Sequence, residues 1–193
     1  MSAESVREKW DCFYSASPDN EPEPATVLAE YAHLLPASGM ALDLACGLGG
    51  NALFLSRRGL KVSAWDVSPV AIDRLATFAR QSGLPIEVDV RDVDIAPFSR
   101  EAFDVVVISR FLAKSLAGAI FDSLKPGGLL FYQTFVREKL SPAGPSNPDY
   151  LLAENELLGV FGNLRVLVYR EEGRVGDLSL GRRDEAYFVG QKR

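Results

Sequence analysis

Apolar and polar positions alternate along this chain in two different rhythms, one of short runs and one of helical stripes. Met40 to Ala45 is a short apolar run with an acid, Asp43, inside it; the chain then breaks at Gly47-Leu48-Gly49-Gly50 and resumes from about Asn51 with Ala52, Leu53, Phe54 and Leu55, a helix opening that Gly59 ends. Lys61 to Asp66 reads as a second strand with an acid at its carboxyl end. Ser68-Pro69 then supplies an N-cap and a proline for the first turn of a helix through Ile72, Leu75, Phe78 and Ala79 to Gly83. Ile86 to Val90 alternates as a third strand and runs into Arg91-Asp92-Val93-Asp94. Phe103 to Ser109 is a nearly continuous β-branched run, the pattern of a central parallel strand covered on both faces. Leu112, Leu116, Ile120 and Leu124 recur every four residues and predict a helix that stops at Lys125-Pro126-Gly127-Gly128, before a fifth strand, Leu129 to Phe135.

The flanks keep a looser rhythm. Glu4 to Tyr14 has Val6, Trp10 and Phe13 at helical spacing, Ser15 to Pro24 breaks it, and Ala25 to Leu35 predicts a second helix stopped by Pro36 to Gly39. After Phe135, Ser141 to Pro148 is a loop, Glu154 to Phe161 a short helix, and Leu164 to Tyr169 and Ala186 to Gln191 two strands of an antiparallel hairpin. Strands alternating with helices define the class as α/β. The expected architecture is a Rossmann-like, doubly wound seven-stranded sheet, mostly parallel, with the hairpin closing it. One domain over 1–193 is expected, with 1–39 a helical lid and 40–193 the core, and ligands bind outside the strands' carboxyl ends.

Composition narrows the partners. The 193 residues are 47% hydrophobic and 24% charged, and the formal net charge of −5 disfavours nucleic acid. No apolar run approaches the roughly 18 residues of a membrane span, and Met1 to Ser5 lacks a basic region followed by an apolar one, so a soluble cytoplasmic protein is expected. Cys12 and Cys46 are too few for a disulfide framework and form no CxxC pair; with His33 the sole histidine, no metal site is expected. Monomer and homodimer both stay open.

The glycine turn admits two ligands. Gly47-Leu48-Gly49-Gly50-Asn51-Ala52 fits the dinucleotide fingerprint, and Asp66 lies near the distance expected of an acid on a ribose hydroxyl, which makes a nicotinamide oxidoreductase the rival. Asp43 four residues before Gly47, and the lack of a Tyr-x-x-x-Lys or His/Asp couple for hydride chemistry, weigh against it. The competing pattern is acid-x-Gly-x-Gly-x-Gly, filled here by Asp43, Ala45, Gly47 and Gly49.

With Leu42-Asp43-Leu44-Ala45-Cys46-Gly47-Leu48-Gly49-Gly50-Asn51, Ala64-Trp65-Asp66-Val67-Ser68, Arg91-Asp92-Val93, Phe103-Asp104-Val105-Val106 and Leu124-Lys125-Pro126-Gly127-Gly128 in order, the chain resembles the class I S-adenosylmethionine-dependent methyltransferases over nearly its whole length. Trp10-Asp11-x-x-Tyr14, Gln133-Thr134-Phe135 and Ser146 to Leu152 are similar to the small bacterial branch related to tellurite-resistance methyltransferases. The resemblance implies S-adenosylmethionine as cofactor. It implies that the backbone at Ala45, Cys46, Gly47 and Gly49, with Asn51, lies under the methionine moiety, that Asp43 anchors the turn or meets the amino end, and that Asp66, next to Val67, accepts from both ribose hydroxyls. Asp92 would accept from the adenine amine and the Val93 N–H would donate to the ring. Ser109, Arg110, Phe111 and Leu112 would border the methyl group and the acceptor, with Arg110 and Phe111 the acceptor-site candidates. Trp10 and Tyr14 read as packing residues, and Cys46 as a small residue in a crowded turn.

Methyl transfer from a sulfonium is an in-line displacement, so the protein's tasks are alignment and exclusion of water. The related branch often has a histidine shortly after the fourth strand, where this chain has Ala113-Lys114, and a glutamate where it has Gln133. A small-molecule acceptor needing little proton chemistry is therefore expected, and an S-adenosylmethionine-binding regulator without turnover is the non-enzymatic alternative.

Overall fold

The computed structural model describes residues 3–93, 97–112 and 114–193. The expectations at Asp94 and Ala113 therefore lie outside the described residues. The strands are β1 (Met40–Leu44), β2 (Lys61–Asp66), β3 (Ile86–Val90), β4 (Phe103–Ser109), β5 (Leu124–Phe135), β6 (Arg165–Arg170) and β7 (Glu185–Gln191). They form one seven-stranded sheet in the order β3-β2-β1-β4-β5-β7-β6. The first five run parallel, and β7 pairs antiparallel with both β5 and β6. Strand order reverses between β1 and β4, the place where an open α/β sheet leaves a crevice above its carboxyl ends.

The central strands are apolar on both sides because both sides are covered. In β4, Val105 and Val107 face a layer with Val27, Leu28, Leu53, Leu55, Ile72 and Leu75, while Val106 and Ile108 face Ile120, Leu157 and Phe161. The first layer comes from α2 (Thr26–Glu30), α3 (Gly50–Arg57) and α4 (Pro69–Gln81), the second from α5 (Ala117–Ser123) and α6 (Glu156–Val160). The Ser68 hydroxyl caps α4 by accepting from the Ala71 N–H at 3.2 Å, with Pro69 in the first turn, as the sequence predicts. The N-terminal helix α1 (Ala3–Ser15) packs on α4.

The second predicted helix, Ala25 to Leu35, keeps α form only over Thr26–Glu30 and finishes as a 3₁₀ turn, Ala32–Leu34, and two further boundaries differ from the pattern. The helical stripe from Leu112 yields only a 3₁₀ turn, Lys114–Leu116, before α5, because Arg110 takes a left-handed φ of 55° and the Tyr132 hydroxyl donates to the Phe111 carbonyl at 2.8 Å. The left-handed residue just before Phe111 keeps the chain out of helical conformation as it leaves β4. Lys125 to Gly128 is not a stop outside the strand but part of β5: the register with β4 jumps from Phe103↔Leu124 to Val105↔Leu129, so this segment bulges. The bulge serves a purpose at the amino ends of the strands. Asp104 Oδ2 accepts from the Met40 N–H and from Lys125 Nζ, both at 2.7 Å, which ties three strand starts together.

Burial works against the Asp104 carboxylate, but the bonds from Lys125 and the Met40 N–H outweigh it and hold its pKa below the ordinary value. Asp104→Ala should lower stability by about 1–3 kcal/mol in urea unfolding, by orphaning the Met40 N–H and Lys125, whereas Lys125→Ala should cost less than about 1 kcal/mol, being a half-exposed ion pair.

Candidate cofactor and acceptor site

The glycine turn is a sharp strand-to-helix corner. Its hydrogen bonds run from the Cys46 N–H to the Trp65 carbonyl and from the Gly49 N–H to the Cys46 carbonyl, both at 2.9 Å. Ala45, Gly47 and Gly49 all have left-handed φ, 54°, 53° and 84°. What a side chain would meet differs among the glycines. A β-carbon on Gly49 would strike Leu75 at 2.2 Å, and one on Gly50 the Glu23 carbonyl at 2.2 Å, so protein packing demands both. At Gly47 the neighbour is the Tyr14 hydroxyl, 2.8 Å from that point, contributed by the lid helix α1.

Asp66 ends β2 with 4% exposure and faces this turn. Its Oδ2 accepts from the Gly47 N–H at 2.8 Å and its Oδ1 from the Ser68 N–H at 2.9 Å. Burial raises its pKa, against the lowering effect of the Ser68, Gly47 and Val67 N–H groups. Asp43, inside β1, is wholly buried; Oδ2 accepts from the Ala52 N–H at 3.0 Å and Oδ1 from Asn51 Nδ2 at 3.2 Å. Burial pushes its pKa up to about 8 despite those two bonds. Asn51 is likewise internal: Nδ2 also donates to the Ser109 hydroxyl at 3.0 Å, while Oδ1 accepts from the Ala25 N–H at 2.8 Å. Asp43, Asn51 and Ser109 thus meet in one network behind the turn. Cys46 is buried, and burial raises its thiol pKa, as befits a packing residue.

Past β3, the Arg91 N–H donates to the Asp66 carbonyl at 2.7 Å, which carries Asp92 and the buried Val93 to the edge of the same crevice. The Arg91 guanidinium lies 4.1 Å from the Trp65 ring centroid and pairs with Asp89 at 2.7 Å. Above the turn, α1 and the residues just after it are held down by side-chain ties to Ser68 and Arg74. Asp11 accepts from the Ser68 hydroxyl, Arg74 Nη1 donates to the carbonyls of Tyr14 at 2.7 Å and Ser17 at 3.1 Å, and Arg74 Nη2 reaches Asp19 at 3.1 Å. Burial, and then the charges of Asp66, Cys46 and Asp43, raise the Tyr14 pKa, so its hydroxyl stays neutral.

The other wall contains two residues to which the strand pattern assigned no role. Gln133, 1% exposed, accepts from the Val27 N–H at 2.8 Å and donates Nε2 to Glu185 at 2.6 Å. Glu185 also receives Arg110 Nε at 3.3 Å. Gln133 was visible as a departure from the related branch, but nothing near Glu185 in sequence marks it. A depression of about 400 Å³ beside α4 is lined by Asp19, Asp73, Arg74, Thr77, Phe78 and Gln81, none of which belongs to this crevice.

Residues 41–128 match a family model described as a methyltransferase domain. Hemagglutinin 1 of Eikenella corrodens is 31% identical over 67% of this chain and 45% of its own length. A ubiquinone biosynthesis O-methyltransferase of Xanthomonas axonopodis pv. citri is 29% identical over 66% of this chain and 56% of its own. The TehB crystal structure from Haemophilus influenzae superposes with a TM-score of 0.72 at 22% identity, covering 95% of this chain and 67% of that one, a likeness of fold. The chain spans about half the length of the curated relatives it matches. Residues 41–128 thus form a methyltransferase domain, and with its sheet order, glycine turn and buried acids the chain is similar to the class I S-adenosylmethionine-dependent methyltransferases. Among these it is related to the TehB proteins, of which the Haemophilus influenzae sequence is 27% identical over 67% of this chain and 47% of its own.

The crevice suits the family's cofactor. Gly47 has no side chain on the face toward Tyr14 of the lid, and the buried Asp66 carboxylate beside it can complement hydroxyl donors.

Asp43 provides a pH test. A carboxyl whose folded pKa is raised contributes stability below its ordinary pKa of 3.8 and loses it as pH rises through about 8. In the ligand-free protein, carboxyl-carbon NMR should show Asp43 titrating near pH 8, and its contribution to unfolding free energy should fall between those limits. Ala45, the non-glycine member of the turn, gives another. Ala45→Gly should raise stability by about 0.5–1 kcal/mol in denaturant titration by relieving its left-handed backbone.

Proposed function

We propose that this protein transfers a methyl group from S-adenosylmethionine to a small-molecule acceptor by in-line displacement. The observation that carries this reading is the pairing of buried Asp43 and Asp66 on either side of a lidded glycine turn, with the exposed Arg110 following Ser109 on the other side. Bound S-adenosylmethionine supplies a methyl group activated on sulfur. Asp66 accepts from the ribose hydroxyls, Asp92 from the adenine amine, and the Val93 N–H donates to the ring. Tyr14 and α1 shut water away from the turn, and a dry, aligned site is the main requirement of such a displacement. Among the described residues the acceptor wall offers no idle base: the Glu185 oxygens are engaged by Arg110 and Gln133, and Lys114 is paired with Glu156 at 2.9 Å. An acceptor that arrives soft or already ionised fits this wall. The net charge of −5 favours a small acceptor over nucleic acid.

Calorimetry with S-adenosylmethionine, S-adenosylhomocysteine and NADPH should show binding of the first two alone; binding of only the nicotinamide would refute the reading. Asp66→Ala should weaken S-adenosylmethionine binding by at least about thirty-fold, the equivalent of two ribose hydrogen bonds of about 1 kcal/mol each. A radiolabelled methyl-transfer screen over thiols, chalcogen oxyanions, phenols and amines separates enzyme from regulator, since a regulator stays silent in it.

A further inference from the structure

Arg110 stands where its backbone resists being placed. Its φ of 55° costs a side-chain-bearing residue about 1 kcal/mol or more, and glycine or asparagine would sit there with less strain. The conformation is locked, since the Arg110 N–H donates to the Gln133 carbonyl at 2.7 Å, at the carboxyl end of β5. It follows Ser109, whose hydroxyl touches the Asn51 amide behind the glycine turn, so Arg110 begins on the acceptor side of the crevice.

Its guanidinium is half engaged. Nε meets Glu185 at 3.3 Å, and Glu185 is itself steadied by Gln133 Nε2 at 2.6 Å, whose amide oxygen holds the Val27 N–H of α2. Glu185 is 15% exposed and Arg110 is 71% exposed. Among the described residues the two Nη groups make no hydrogen bond. A guanidinium oriented through Nε with both Nη groups open is half of a bidentate clamp, and its complement is a planar carboxylate. Phe111 follows directly and is half-buried, packed against the second apolar layer, and Phe135, at the end of β5, is capped by Gly144 of the neighbouring loop. Arg110 thus presents an exposed cation on this wall, oriented through Glu185.

We propose that the methyl acceptor is a small carboxylic acid whose carboxylate is taken by the Nη groups of Arg110, with Glu185 as the positioning residue that aims them. This rests on the methyltransferase reading and adds the acceptor's chemical class. The carboxylate is a handle, not the methylated atom.

The test uses benzoate and benzamide as probes, bound to the full chain saturated with S-adenosylhomocysteine and followed by NMR titration. Benzoate should bind at least ten-fold more tightly than benzamide, and Arg110→Gln should erase that preference while unfolding at the wild-type temperature within a few degrees. Glu185→Gln should weaken benzoate several-fold, and Arg110→Lys should recover only part, because a point charge lacks the fork. Equal binding of the two probes, failure of benzoate to bind, or a preference that survives Arg110→Gln overturns the proposal. Calorimetry of S-adenosylhomocysteine on the same samples separates the layers. Loss of cofactor binding would sink the methyltransferase reading, whereas intact cofactor binding with indifferent probes would sink the carboxylate alone.

Discussion

Asn51 is the side chain on which the site's geometry depends. From one buried amide it reaches Asp43 in β1, Ser109 at the end of β4 and the Ala25 N–H at the entrance to α2. Those three partners belong to the two strands that flank the switch in sheet order and to the segment before the sheet. A buried amide has its hydrogen-bonding groups fixed by their partners, so the crevice, the first helix behind it and the N-terminal segment share one register. Gly50 shows the same dependence from the backbone side: the Glu23 carbonyl lies where its β-carbon would be.

Above that anchor the site is assembled from ends. Ala45 and Arg110, at the ends of adjacent strands, both take left-handed φ, 54° and 55°, and each turns the chain sharply away from the sheet. The sharp exits expose N–H groups and carbonyls that pair locally, Cys46 with Trp65 and Arg110 with Gln133. One exit leads to the glycine turn and the buried acids, the other to the half-free guanidinium. On the proposed reading, local strain at the two exits would divide a cofactor half from an acceptor half, as strain concentrated at functional sites does elsewhere.

Much of this was legible in the chain because the informative features are local. Phe103 to Ser109 announces a strand covered on both faces, Ser68-Pro69 announces a helix start, and the glycine turn with Asp66 a short distance on announces the crevice. What escaped is non-local. Glu185 lies 75 residues from Arg110 and has no neighbouring pattern, so only the antiparallel pairing of β7 with β5 brings it to the wall. The short α5 has a non-local cause too: apolar spacing promised a helix from Leu112, but the chain leaves β4 through a left-handed Arg110 whose N–H is tied to the Gln133 carbonyl of β5. The Lys125 to Gly128 segment looks like a stop and is a bulge, because Asp104 recruits Lys125 across the sheet.

The bulge has a consequence for how this protein can change. Asp104 and Ser109 are five residues apart on one strand, about 17 Å, so the cluster that pins the amino ends of the strands and the crevice above their carboxyl ends are physically remote. Changes at sites that far apart and without shared partners combine nearly additively. The lower end of the sheet is therefore the place to engineer thermal tolerance, and the upper end the place to alter ligand choice, each with little effect on the other.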